Sequence, residues 1–282
     1  MSEKPGRGTD GARGGSDGSS ERRLWTKGGA PARGDRDARV REVAPDPDPF
    51  GTRSVRERHD DPVIPDDVVA KQLDRVALNE LKTLSKETAE TVARHLVMAA
   101  RLIEEDPARA HQHAISAARR AGRIGIARET VAITAYELGD FALALRELRT
   151  YRRITGRDDQ LPMMVDCERG LNRPEKALEL GRSVARASLP IPVQVEVAIA
   201  MSGARLDLGQ PEAALAELQI PELDPARVFD YSPALFDAVG IVLEELGRTD
   251  EADLWLSRAD LAASALARAG DEEEMIEVVE EE

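Results

Sequence analysis

Leu138-Gly139-Asp140-Phe141-Ala142-Leu143-Ala144-Leu145 reads as a helix end, a turn and a helix start in eight residues, and it recurs. It returns as Leu171-Asn172-Arg173-Pro174-Glu175-Lys176-Ala177-Leu178, as Leu208-Gly209-Gln210-Pro211-Glu212-Ala213-Ala214-Leu215, and as Leu246-Gly247-Arg248-Thr249-Asp250-Glu251-Ala252-Asp253. A fainter copy lies at Glu104-Glu105-Asp106-Pro107-Ala108-Arg109-Ala110. The aligned alanines, Ala110, Ala144, Ala177, Ala214 and Ala252, stand 34, 33, 37 and 38 residues apart. Self-similarity at such a period marks a repeat architecture, in which each small unit buries its apolar face against the next. Gly139, Gly209 and Gly247 fall where a helix ends in the left-handed conformation, and Asn172, which tolerates that conformation better than most residues, takes the same place in its copy. Each aligned alanine removes bulk where two helices cross, and Leu148, Leu218 and Leu256, four residues later, are placed to fill the core. Twelve residues before the alanines stand Met98, Ala132, Val165, Ser202 and Gly240, small in three of five copies, which lets neighbouring helices approach.

Outward from the repeat, apolar residues keep a helical spacing, as in Val69, Leu73 and Val76 or Leu138, Leu145 and Leu148, with no sustained strand-type alternation. Pro65-Asp66 is expected to begin a helix, Ser85 to cap the next, and Asp106-Pro107 to supply an N-cap followed by a first-turn proline. Helices of roughly 14 to 18 residues joined by short connections imply antiparallel neighbours.

This pattern resembles the tetratricopeptide repeat (TPR) family, whose unit is a helix–turn–helix of about 34 residues. The resemblance covers about residues 87–268. It implies an all-α, right-handed α-solenoid of about five degenerate TPR-like helix–turn–helix units with one preceding helix. The family's first-helix Trp and Tyr positions are mostly absent, Gly181 stands where a bulky residue is usual, and Pro221 is expected to cut one second helix short. The stack should therefore be irregular, with its curvature changing near Pro221 to Pro233. Taken whole, with a glycine-rich charged N-terminal tail, the repeat body and an acidic end, the chain resembles TPR-containing proteins of high-GC actinobacteria.

The 282 residues carry a formal charge of −14 that is unevenly spread: +2 over residues 1–60, neutral over 61–160, −8 over 161–270 and −8 over the last twelve. An acidic second half repels phosphate backbones, so any nucleic-acid contact would fall to the N-terminal tail or the first-half basic face. Residues 1–62 hold 10 of the 21 glycines and few residues able to form a core, so a disordered tail is expected there. Within it lie the Arg-Gly pairs at Arg7, Arg13 and Arg33, the apolar pair Leu24-Trp25 and the stiff Pro45–Pro49 run. Residues 63–268 form the expected repeat domain, and 269–282 an acidic disordered tail. No run approaches the roughly 20 apolar residues of a membrane span, and the N-terminus carries no secretory apolar segment, so the expected location is the cytoplasm. The oligomeric state is not legible from the sequence.

The inner face of such a solenoid is lined by the first helix of each unit and, in the family, commonly holds an extended peptide or partner helix. The resemblance assigns that lining to His95, Ala99 and Leu102; Glu129, Ile133 and Tyr136; Met163, Asp166 and Arg169; Ile199, Gly203 and Leu206; and Asp237, Ile241 and Glu244. Family members that clamp a terminal carboxylate use basic residues and Asn at such places, whereas Glu129, Asp166, Ile133 and Asp237 stand here. The expected partner is a protein or peptide that is apolar with some basic character, and the expected role a non-catalytic adaptor or scaffold. The alternative is a factor associated with RNA or ribonucleoprotein, acting through the Arg-Gly tail and a basic face of Arg119, Arg120, Arg123, Arg146, Arg149 and Arg153. The plainer reading of that face is a solvated surface offset by Glu129, Glu147, Asp158 and Asp159.

Catalytic signals are weak, and no cofactor is expected. His111 and His113 are two apart on a helix and point to different faces, which defeats chelation by that pair alone. No Gly-rich phosphate loop, HExxH, GxSxG or CxxC occurs. Cys167, the single cysteine, lies between Asp166 and Glu168, which disfavours its thiolate. Asp66-Asp67 and Asp158-Asp159 are read as helix-start carboxylates.

Overall fold

Among the described residues the chain folds as five antiparallel helical hairpins in succession, preceded by a short helix α1 (Arg75–Glu80) between two single-turn 3-10 segments. The computed structural model describes residues 59–279, with side chains through residue 269. The hairpins are α2 (Lys86–Leu102) with α3 (Pro107–Arg120), α4 (Gly125–Glu137) with α5 (Phe141–Thr155), α6 (Leu161–Gly170) with α7 (Pro174–Gly181), α8 (Ile191–Asp207) with α9 (Pro211–Leu218), and α10 (Ser232–Glu245) with α11 (Thr249–Val279). Each second helix packs on its own partner, and successive hairpins pack in order, α3 on α4, α5 on α6, α7 on α8 and α9 on α10. The first helices also touch directly, α6 with α8 and α8 with α10. This is the TPR-like α-solenoid that the repeat predicts, and no strand occurs among the described residues.

The turn chemistry forms as the repeat requires. Gly139, Gly209 and Gly247 have φ of 73°, 68° and 71°, and Asn172, at 57°, is the only non-glycine with positive φ among the described residues. A β-carbon added at Gly209 would meet nothing within 4 Å, so the glycine serves backbone conformation alone. Gly209→Ala is therefore expected to lower stability by about 1 kcal/mol through left-handed strain, and Asn172→Gly to be neutral or slightly stabilising. Urea unfolding midpoints of the two variants test this contrast.

Packing follows the same register. All five aligned alanines have no exposed surface, and Leu148 and Leu218 beside them are fully buried. Gly240 faces Leu256 so closely that a β-carbon there would lie 2.6 Å from its Cδ2. Ser85 accepts a hydrogen bond from Thr88 N, and Asp106 from Arg109 N with Pro107 behind it, as the cap positions predict.

Five expectations need correction. Pro65-Asp66 opens no helix: Asp66 and Asp67 form a turn, and the Asp67 carboxylate instead pairs with Arg101 at 2.9 Å. Packed structure starts before residue 63, because the His59 ring hydrogen-bonds Ser116 and Asp61 pairs with Arg120. In length α7 spans only 8 residues, well under the predicted length, whereas the equally short α9 is cut as Pro221 predicts. Pro221 and Pro225 account for α9, since the backbone before a proline is pushed out of helical space. In the third unit Gly181 ends α7, and the Met201 thioether fills the space that a side chain at 181 would occupy. Asp158 and Asp159 do not cap α6. They bind the end of α5: Asp158 pairs with Arg152, and Asp159 with Arg157 and the Tyr151 hydroxyl. The last helix continues to Val279, beyond the boundary at 268 where the acidic composition sets in. The tail readings on residues 1–58 lie outside the described residues.

Candidate functional site

Consecutive first helices wall a groove of about 340 Å³. Tyr136 comes from α4, Met163 and Asp166 from α6, Glu196 and Ile199 from α8, and Ala234 from α10. Four residues assigned to the inner face thus meet in one groove: Tyr136, Met163, Asp166 and Ile199. The stacking explains it, because the same faces of neighbouring first helices lie side by side when each hairpin repeats the last, even though these residues sit at different heights along them. Asp159, Gln160 and Pro162, just before or at the start of α6, complete one wall.

The groove is apolar with an acidic bias, and no lysine or arginine among the described residues lines it. Burial raises the pKa of Asp166, opposed by Arg169, whose Nη1 donates to its Oδ1 at 2.8 Å. Arg169 also pairs with Asp207, its guanidinium lying over Gly203, where a β-carbon would be 2.3 Å from Cζ. Glu129 is likewise raised by burial while accepting a hydrogen bond from the Gln160 amide at 2.5 Å, and Glu196 is raised by burial alone. Each carboxylate has lost hydration that a bound cation could replace. Arg169→Met is expected to move the Asp166 pKa further upward, since it removes the one adjacent group that favours its charge. The pH dependence of the Asp166 carboxyl carbon shift measures that change.

The remaining assigned residues scatter. His95 is 2% exposed and faces His113 across the first hairpin, so it lines no open surface. Ala99 is buried beside Ala114 and Val131, and Leu102 packs on Val68, Val97 and Met98. Ile133 is half-buried, Leu206 packs into the core of the fourth and fifth hairpins, and Asp237, Ile241 and Glu244 are exposed on α10 without reaching the groove. Glu196 escaped the sequence reading, although it lies one turn before Ile199 on the same helix face and the i, i+3 spacing marks it. Asp159 and Gln160 carry no periodic signal, because they precede the helix.

The basic face is built into ion pairs. Arg146 and Arg128 both contact the buried Glu147 carboxylate, at 3.1 and 2.7 Å, and Arg149 lies 2.9 Å from the buried Glu168, with Arg173 at 3.7 Å. Arg120 bonds Asp61 and the Ser116 carbonyl. Arg119 is also engaged, while Arg123 and Arg153 are exposed. The Cys167 thiol is wholly buried, and burial together with Asp166 and Glu168 pushes it up to about 12. His111 donates to or accepts from Thr134, and no group of three or more metal-ligating side chains occurs among the described residues. No described helix is long and apolar enough to cross a membrane.

No family model matches the sequence, and no curated protein matches it. Among solved structures, the chain is similar to the crystal structure of MamA protein, with a TM-score of 0.44 and 12% identity over 63% of this chain and 94% of MamA.

Proposed function

We propose that this protein is a non-catalytic interaction adaptor that holds a peptide or partner helix in the groove walled by α4, α6, α8 and α10. The observation that carries the proposal is the convergence of side chains from four successive hairpins on one apolar groove whose charged lining groups, among the described residues, are all acidic. Met163, Ile199 and Ala234 offer apolar contact, and Asp159, Asp166 and Glu196 select for positive charge. The preferred occupant is an apolar segment carrying lysine or arginine.

A photo-crosslinking residue at Ile199 in the full chain, with Leu254 on exposed α11 as the control position, tests this in native lysate. A defined protein adduct at 199 that survives nuclease treatment and is lost on Asp166→Lys supports the groove. Adducts equal at both positions, adducts abolished by nuclease, or none at 199, count against it.

A further inference from the structure

Residues 219–231, between α9 and α10, are the longest connection in the repeat stack, and they are folded rather than loose. Asp224 accepts a hydrogen bond from Ala226 N at 2.9 Å, the Ser232 hydroxyl accepts one from Phe229 N at 3.0 Å, and Ile220 is buried in the core below. Phe229 and Tyr231 stack with ring centres 5.2 Å apart and planes 16° from parallel, and Arg227 lies over the Phe229 ring at 4.7 Å. The prolines that stop α9 thus replace a turn of helix with a shaped surface.

That connection, the start of α8 and Leu266 of α11 enclose a cleft of about 660 Å³, which shares no lining residue with the groove between the first helices. Its apolar part is left open to water: Ile191 is 52% and Val228 46% exposed, with Phe229, Tyr231 and Leu266 half-covered beside them. Its charged part, among the described residues, is Glu222, Asp224 and Asp230 against one cation, Arg227, which is already placed on an aromatic face. Glu222 is the informative residue. Among the described residues its Oε2 is buried, accepts no hydrogen bond and is offset by an ion pair with Arg186 at 3.9 Å. Glu222 also lines the cleft with 15% of its side chain exposed, so a guanidinium in the cleft can approach that exposed edge and add to the weak offset from Arg186.

We propose that this cleft is a second docking site, for a partner polypeptide that presents an arginine flanked by apolar side chains: the guanidinium meets Glu222, and the apolar neighbours cover Val228, Phe229 and Leu266. Charge selects the occupant. The acidic excess at the rim disfavours acidic segments, and the exposed aliphatic and aromatic surface gains from being covered. The arrangement does not depend on the groove's role, since the two sites have separate walls.

The test is an amide-resolved NMR titration of the full chain with acetyl-Leu-Arg-Leu-amide and, in parallel, acetyl-Leu-citrulline-Leu-amide, which keeps the shape of arginine and removes its charge. The expected result is saturable shifts at Val228, Phe229 and Tyr231 with the arginine peptide, and affinity about tenfold weaker with citrulline, the loss of one charge-assisted contact. Glu222→Gln should bring the arginine peptide to the citrulline level, while Val228→Ser, a surface change, should weaken both peptides alike. Equal affinity for the two peptides, full affinity in Glu222→Gln, no saturable shift at the cleft, or shifts confined to Met163 and Ile199 would each overturn the assignment. The last outcome would leave the groove proposal standing while removing this one.

Discussion

Phe236→Ala is expected to cost about 3–5 kcal/mol and to melt the last hairpin ahead of the others. Phe236 is 2% exposed and packs on Ala259 and Ala262 of α11, with its ring centre 5.3 Å from that of Trp255. Truncation to alanine removes a whole aromatic side chain between two helices, and the small residues opposite cannot move in to fill the space. In a stack where each unit touches only its neighbours, such a loss stays local, because the hairpins are coupled only across their shared interfaces. The molecule supplies its own reporter. Trp255 is one of only two tryptophans, so in a Trp25→Phe background its fluorescence follows the α10–α11 hairpin alone. The expected result is a Trp255 transition at lower urea than the circular-dichroism transition, with the two coincident in the parent. Coincident transitions in the variant would show that the five hairpins unfold as one unit.

Acidification should weaken the first hairpin by up to about 3 kcal/mol, through His95 and His113. The two rings are 2% and 0% exposed, their Nδ1 atoms lie 3.0 Å apart, and one nitrogen donates to the other. The Nε2 of His113 is buried and has no hydrogen-bond partner among the described residues. Burial, followed by the neighbouring His113, lowers His95 to about 4, and burial followed by Arg109 lowers His113 below the ordinary histidine range. Between about 6.5 and 4 the unfolded chain takes up a proton that the folded chain refuses, so acid favours unfolding. The stabilisation is complete above about 6.5 and is lost as pH falls through about 4. Urea midpoints measured at pH 7 and pH 5 should therefore separate in the parent. The gap should narrow in His95→Leu, whose remaining partner His113 then titrates without a like charge facing it. An unchanged gap would place the acid sensitivity elsewhere.

Much of the architecture was legible because a repeat states the same local physics five times. The left-handed residues, the caps at Ser85 and Asp106 and the burial of the aligned alanines depend on chain segments of only a few residues, so sequence spacing specifies them. The groove was legible in part for the same reason. Tyr136, Met163, Asp166 and Ile199 lie on the same side of successive regular helices, at different heights, whereas His95 and Ala99 belong to the first hairpin, where the segment from His59 to Asp74 and α3 pack against α2.

What the sequence determined by itself was therefore the helical repeat, its turns and which alanines are buried where helices cross, since those follow from backbone preference and apolar spacing over short distances. What only the tertiary structure decided were contacts between distant residues. Glu80 accepts the Ile126 N–H of α4, whose own N-cap residue, Ile124, supplies no side-chain bond. Arginines that share a helix face in sequence are bound to Glu147 and Glu168. The proline-rich connection after α9 became a cleft instead of a plain link. Such pairings depend on where the stack places residues tens of positions apart, and a local pattern holds no record of that distance.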